Sequence, residues 1–193
     1  MKVAITGGIG SGKSVVCYVF EKIGYPVFYA DQVAKDVVEH DLVKEQVISL
    51  LGKEAFDEQG YNRSYVAQQV FADKQLLLQL NNIIHPEVKK AYDEFVKNHQ
   101  GKITFKESAL VFEEGIQDEY DAVMYVYASE AIRLKRTLSR DAHRSEVEVK
   151  NIMSHQVSFS KASLLADFVI INEGDESVLE QINEILEILH SEL

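Results

Sequence analysis

The chain of 193 residues reads as a three-layer α/β fold on a five-stranded parallel sheet. Three observations predict it. Short apolar runs bounded by turn residues recur along the sequence, helical sequence separates them, and the first run passes through a glycine-rich loop straight into a helix.

Val3-Ala4-Ile5 is the first such run, flanked by turn-forming sequence as a strand buried on both faces would be. Beyond the loop, Val15, Val16, Val19, Phe20 and Ile23 repeat at helical spacing, and Gly24 is placed to end the helix. A second strand begins at Pro26 with Pro-Val-Phe-Tyr, and Asp31 stands where it stops. From Asp31 to Asn98 the pattern is helical: one segment is closed by Gly52, and the last is opened by Pro86 at a favoured first-turn position. That is more helix than one crossover needs, so an inserted helical subdomain is expected at about residues 32–98. Strands at 102–108, 122–127 and 167–171 complete the sheet, and a final helix runs from about Glu176 to His190. The whole, 1–193, is read as a single domain.

Composition narrows the function. Hydrophobic residues make up 46% and charged residues 26%, with two prolines and no low-complexity run, so the chain reads as folded throughout. Twenty basic against thirty-one acidic residues give a net charge of -11, which argues against nucleic acid or an anionic membrane as the main partner. A polyanionic ligand then needs a local basic site. The single cysteine, Cys17, excludes an internal disulfide and any multi-cysteine metal site. No apolar stretch at the start reads as a signal peptide and none later as a membrane span, so a cytoplasmic location is expected, with no obligate protein partner.

Gly7 to Ser14, Gly-Gly-Ile-Gly-Ser-Gly-Lys-Ser, satisfies G-x-x-x-x-G-K-[ST]. The glycines let backbone N–H groups turn inward around phosphate oxygens, and the helix N-terminus adds its positive end. In such a loop Lys13 reaches the β- and γ-phosphates and Ser14 holds Mg²⁺. The motif identifies nucleotide binding and leaves the reaction open.

Three further features bear on the acceptor. The sequence has no N-K-x-D and no D-x-x-G following a strand, which weakens a GTP-reading switch. Asp31 ends the second strand, and carboxyl ends of parallel strands face one crevice, so this carboxylate can orient an acceptor hydroxyl and take its proton; a helix N-cap is the structural alternative. Arg133, Arg136, Arg140 and Arg144 follow at intervals of three, four and four, sharing one helical face after the fourth strand. There they are either a solvated face or a lid, over about 129–160, that clamps phosphates, with Arg140 the favoured member.

At these residues the sequence resembles the dephospho-CoA kinase family over nearly its whole length. The phosphate loop at 6–14, the Ala-Asp-Gln-Val-Ala-Lys-Asp-Val-Val segment from Ala30, and His85-Pro86 are similar to the family's motifs. So are the stretch from Glu107 to Gly115, the arginine at 140, Gln156, and the closing strand with Asn172-Glu173-Gly174. Tyr29, Lys35, Ala109, Glu107 and Val15 depart from the family's usual residues. The resemblance implies a P-loop kinase fold with an acceptor-binding insertion and a helical lid. It implies transfer of the γ-phosphoryl group of Mg-ATP to the 3′-hydroxyl of dephospho-CoA, giving ADP and coenzyme A.

By the same resemblance Asp31, Lys13 and Arg140 are catalytic, and Gly8, Gly10, Ser11, Gly12, Lys13, Ser14, Val15, Arg140 and Asn172 bind ATP. Asp31, Lys35 and His85 bind the acceptor, with Ser14 and Glu107 as metal ligands. Two alternatives stay open: another small-molecule kinase with the same loop, and a nucleotide-dependent regulatory module in which Asp31 is only a cap.

Overall fold

The computed structural model describes residues 1–191. In chain order it contains β1 (Lys2–Thr6), α1 (Lys13–Lys22), β2 (Val27–Tyr29), α2 (Ala30–Val37), α3 (Asp41–Leu51), β3 (Phe56–Asp57), β4 (Gly60–Tyr61), α4 (Arg63–Ala72) and α5 (Lys74–Asn98). There follow β5 (Thr104–Glu107), β6 (Ala122–Tyr127), α6 (Glu130–Arg140), α7 (Glu146–Ser154), α8 (Phe159–Leu165), β7 (Phe168–Ile171) and α9 (Val178–Ser191). The chain divides into two compact units, Tyr29–Asn98 and, around it in sequence, Met1–Phe28 with the segment from His99 onward.

The larger unit holds the five-stranded parallel sheet, in the order β2-β5-β1-β6-β7. β1 pairs in parallel with β5 on one side and β6 on the other, with Ile5 opposite Glu107 and Met124. Val3, Ala4, Ile5 and Met124 are fully buried, which is why β1 and β6 read as unbroken apolar runs. From β1 the chain crosses toward β2, whereas from β5 it crosses the other way toward β6. The carboxyl ends of β1 and β5 therefore flank the point where connections diverge, the position at which open α/β sheets bind ligands.

Helix α1 buries Val16, Cys17 and Phe20, and Phe20 stacks on Phe105 of β5 at 3.8 Å between ring centroids. Its end is a Schellman motif: the N–H of Gly24 bonds the Glu21 carbonyl at 3.1 Å and that of Tyr25 bonds the Phe20 carbonyl at 3.0 Å. The Phe20 and Tyr25 rings meet edge to face across it. At the other end of the chain, α9 buries Ile182, Ile185, Leu186 and Leu189, a single helical stripe.

The smaller unit has its own core of Val38, Val43, Val47, Leu51, Ala55, Val66 and Leu80, ringed by Leu76, Ile83 and Ile84 among others. Two expectations for this region fail. Pro86 does not open a helix; it lies inside the 25-residue α5. A proline costs the helix one hydrogen bond and crowds the preceding turn, but α5 buries Leu80 before Pro86 and Tyr92 after it, and tertiary burial on both sides outweighs the local penalty. The region is also not wholly helical. Phe56–Asp57 pairs antiparallel with Gly60–Tyr61, held by the Gln59 N–H on Asp57 Oδ1 at 2.8 Å and by Gly60 at φ 104°. Strands of two residues are too short to show alternation in sequence.

Element ends differ by a few residues elsewhere. Lys102 closes a turn onto the His99 carbonyl at 3.2 Å, so β5 starts at Thr104 rather than 102. Ser177 accepts the Glu180 N–H on its hydroxyl at 3.3 Å, which starts α9 at Val178 rather than Glu176.

Candidate active site

The loop between β1 and α1 turns tightly on itself. The Ser11 N–H bonds the Gly8 carbonyl at 3.1 Å, and Lys13 Nζ donates to the carbonyls of Gly7 and Gly8 at 2.8 and 3.4 Å. Gly10 and Gly12 have φ of 77° and 96°, backbone that a side chain resists. There is no room for one either. A Cβ on Gly10 would meet the Arg133 carbonyl, and a Cβ on Gly12 would meet the Asn172 amide nitrogen. The Ser11 hydroxyl is buried and has no hydrogen-bond partner among the described residues. A buried polar atom left unmatched inside an anion-binding loop fits a site built for a ligand.

Side chains from α6 and from the turns after α7 and β7 hold this loop. Asn172, just beyond β7, sends Nδ2 to the Ser11 carbonyl at 2.9 Å, and its own N–H bonds the Tyr127 carbonyl at 2.8 Å. Arg136 on α6 donates to the Asn172 carbonyl at 3.0 Å and to the Ser11 carbonyl at 3.4 Å. Arg133, one turn earlier, lies against Gly8 and donates from Nε to the Ile9 carbonyl at 3.1 Å. Gln156, after α7, accepts the Ile9 N–H at 2.9 Å and an Arg133 N–H at 3.2 Å on one oxygen. The start of α6 is itself capped from the Asn172 loop: Glu173 accepts the Ser129 N–H at 2.6 Å, which holds its carboxyl below the ordinary carboxylate value.

The arginine stripe therefore divides. Arg133 and Arg136 are half-buried against the phosphate loop. Arg140 is exposed at the end of α6 and makes a bidentate pair with Asp141, both bonds 2.9 Å, while Arg144 reaches the same carboxylate at 3.5 Å. The Arg140 bond lowers the Asp141 carboxyl and raises the guanidinium further.

Glu107 ends β5 half-buried and opposite Ile5, so its carboxylate stands at the carboxyl edge of the strand beside the phosphate loop's own. Both Glu107 and Lys13 act on the buried Cys17 thiol. Burial pushes that thiol up, Glu107 adds to the rise and Lys13 opposes it. Cys17 is thus an inert packing residue under the loop. Ser14 is exposed at the first turn of α1. A hydroxyl and one carboxylate are hard oxygen donors of the kind Mg²⁺ takes when substrate phosphates and water complete its shell. Among the described residues no three His, Cys, Asp or Glu side chains gather as an all-protein metal site.

Asp31, Lys35 and His85 lie in the smaller unit and are all exposed. Asp31 sits in the first turn of α2 and Lys35 one turn on, so the two share a face. The N-cap position of α2 is Tyr29, so Asp31 does not fill the capping role offered as its structural alternative. His85 precedes Pro86 within α5.

Sequence spacing named the loop and the stripe, and the family resemblance named Asn172 and Glu107. Spacing did not distinguish the loop-bound arginines from Arg140, and it passed over Glu113, whose carboxylate accepts the Val157 N–H at 2.8 Å. Two residues far apart in the chain carry no periodicity that would join them.

Comparison with known proteins places the chain among kinases. A family model described as Dephospho-CoA kinase matches residues 1–177. A dephospho-CoA kinase of Bacteroides fragilis strain YCH46 is 36% identical over 195 residues, covering 100% of this chain and 95% of the relative. The crystal structure of TT1252 from Thermus thermophilus superposes with a TM-score of 0.86 at 29% identity, covering 100% of this chain and 97% of that one. A dephospho-CoA kinase from Campylobacter jejuni shares the fold at a TM-score of 0.72 and 24% identity, with full coverage of both chains.

Proposed function

The chain belongs to the dephospho-CoA kinase family, and on that premise we propose that it transfers the γ-phosphoryl group of ATP to the 3′-hydroxyl of dephospho-CoA, giving coenzyme A and ADP. The observation that carries the phosphoryl-donor half is the cradle itself: a glycine loop at the sheet's switch point, braced by Asn172, Arg136, Arg133 and Gln156, with no space for a side chain at Gly10 or Gly12. The acceptor half rests on family membership over the full chain.

Phosphoryl transfer has a loose transition state, so the protein contributes position and charge neutralisation. Loop N–H groups and the start of α1 bind the β- and γ-phosphates, and Lys13 leaves the Gly7 and Gly8 carbonyls to follow the transferring group. Ser14 and Glu107 would hold Mg²⁺, which would supply charge neutralisation at the phosphates. Arg140 exchanges Asp141 for phosphate oxygens, one charge-assisted pair for another. Asp31 orients the 3′-hydroxyl and accepts its proton, while Lys35 and His85 contact the acceptor, which the insertion binds. The segment from α6 to α8 acts as the lid that excludes water. No helix among the described residues is long and apolar enough to cross a membrane.

The test is mass-spectrometric detection of product from Mg-ATP with dephospho-CoA, AMP, CMP, shikimate, gluconate or water as acceptor. The expected result is phosphorylation of dephospho-CoA well above the rest, on the 3′-oxygen. Reaction of another acceptor in its place would overturn the assignment. Asp31→Asn should abolish turnover with Mg-ATP binding intact, and normal turnover in that variant would remove Asp31 from the mechanism.

A further inference from the structure

We propose that Gln156 is a positioning residue for the phosphoryl donor, fixing the phosphate loop through Ile9 and Arg133. The inference rests on the loop being the ATP site. Ile9 lies near the middle of the loop, and a single oxygen, Gln156 Oε1, receives its N–H at 2.9 Å while accepting from the Arg133 guanidinium at 3.2 Å. Arg133 in turn donates to the Ile9 carbonyl at 3.1 Å, so both backbone groups of Ile9 are held by a pair of side chains that also hold each other. The consequence is chemical as well as mechanical. An Ile9 N–H bound to Gln156 is withdrawn from the set that faces phosphate, and the loop's remaining amides are aimed by where Ile9 is pinned.

The anchor is itself rigid. Gln156 sits in the turn between α7 and α8, where its own N–H bonds the Met153 carbonyl at 3.1 Å and the next N–H, of Val157, bonds Glu113 at 2.8 Å. Two residues further on, Phe159 packs on Tyr127 at the end of β6, ring centroids 4.0 Å apart. A side chain launched from a turn tied at three points, one of them to the sheet, loses little entropy in holding the loop. The same ties link the expected lid segment to the donor site, so release of Gln156 would loosen Ile9 and Arg133 together.

The experiment compares Gln156→Leu, of similar size but with no acceptor, with Gln156→Glu, which keeps an acceptor oxygen. Mg-ATP affinity is measured by calorimetry, KM for each substrate by initial rates, and Tm by scanning calorimetry. The leucine variant should bind Mg-ATP about tenfold more weakly and show the same rise in KM for ATP, because an Ile9 N–H and a guanidinium lose their partner together. KM for dephospho-CoA should stay within about twofold, and the glutamate variant should recover Mg-ATP affinity to within about threefold of the original. Unchanged Mg-ATP affinity in the leucine variant would overturn the proposal. So would an equal loss for both substrates with a lowered Tm and no recovery by glutamate. Should the leucine variant fail to fold, a tenfold loss in the glutamate variant would refute it alone. Direct Mg-ATP binding does not depend on the acceptor, so an inactive wild-type enzyme that binds Mg-ATP would refute the acceptor assignment and leave these comparisons decisive.

Discussion

Gly12 and Gly24 make a controlled pair. Their φ angles, 96° and 97°, are the same within a degree, yet a Cβ on Gly24 would meet nothing within 4 Å while one on Gly12 would occupy the place of the Asn172 amide nitrogen. Replacing either by alanine incurs the left-handed penalty of about 1–2 kcal/mol. At Gly12 the methyl also displaces Asn172 Nδ2 from the Ser11 carbonyl, a bond of 2.9 Å, adding about 1 kcal/mol. Gly12→Ala should therefore lower unfolding free energy by about 2–3 kcal/mol and Gly24→Ala by about 1–2 kcal/mol, read from urea titrations. Because the excess at Gly12 falls on the loop, Mg-ATP affinity should drop roughly tenfold there and stay unchanged in Gly24→Ala, measured by calorimetric titration. Adding Asn172→Ala to Gly12→Ala should cost less than it does alone, since the bond is already lost. Equal losses at the two glycines, full additivity with Asn172→Ala, or unchanged Mg-ATP affinity in Gly12→Ala would mean that the Asn172 bond does not brace the loop.

Other expectations concern the smaller unit and the start of α6. Val47→Ala, at a fully buried position in the smaller unit, should cost about 2 kcal/mol in urea unfolding through lost burial and the cavity left behind. Pro86→Ala should stabilise α5, by up to about 3 kcal/mol, and a destabilised variant would mean that the proline is built into the packing. Glu173 is held below its ordinary value by Ser129, so its contribution is complete above about pH 4.5 and is lost as pH falls through its lowered folded value. The gap in Tm between wild type and Glu173→Gln should accordingly be present at neutral pH and close on acidification. A gap that widens toward acid would show the opposite linkage.

Local patterns were legible because they repeat over a few residues. The apolar run of β1, the glycines and Lys13 of the loop and the helical stripe of α9 all follow from spacing that one element must satisfy by itself. The same holds for Asp31, read from its place at the end of a strand, whereas Lys35, one turn on along α2, was named only by the family resemblance. Family motifs added the acceptor, which no spacing could supply.

Partners distant in the chain were decided only by the tertiary structure. The four arginines look equivalent as a stripe, and Arg133 and Arg136 differ from Arg140 because Ile9, Ser11 and Asn172 lie against the first two while Asp141 follows the third. Pro86 marks a helix start by local preference, but burial on both sides carries α5 through it. Gln156 acquires a role from an amide 147 positions away. Short-range geometry is written in the order of residues, whereas which side chain satisfies which buried polar group depends on the elements that folding brings together, and the phosphate loop is held by bonds of that second kind.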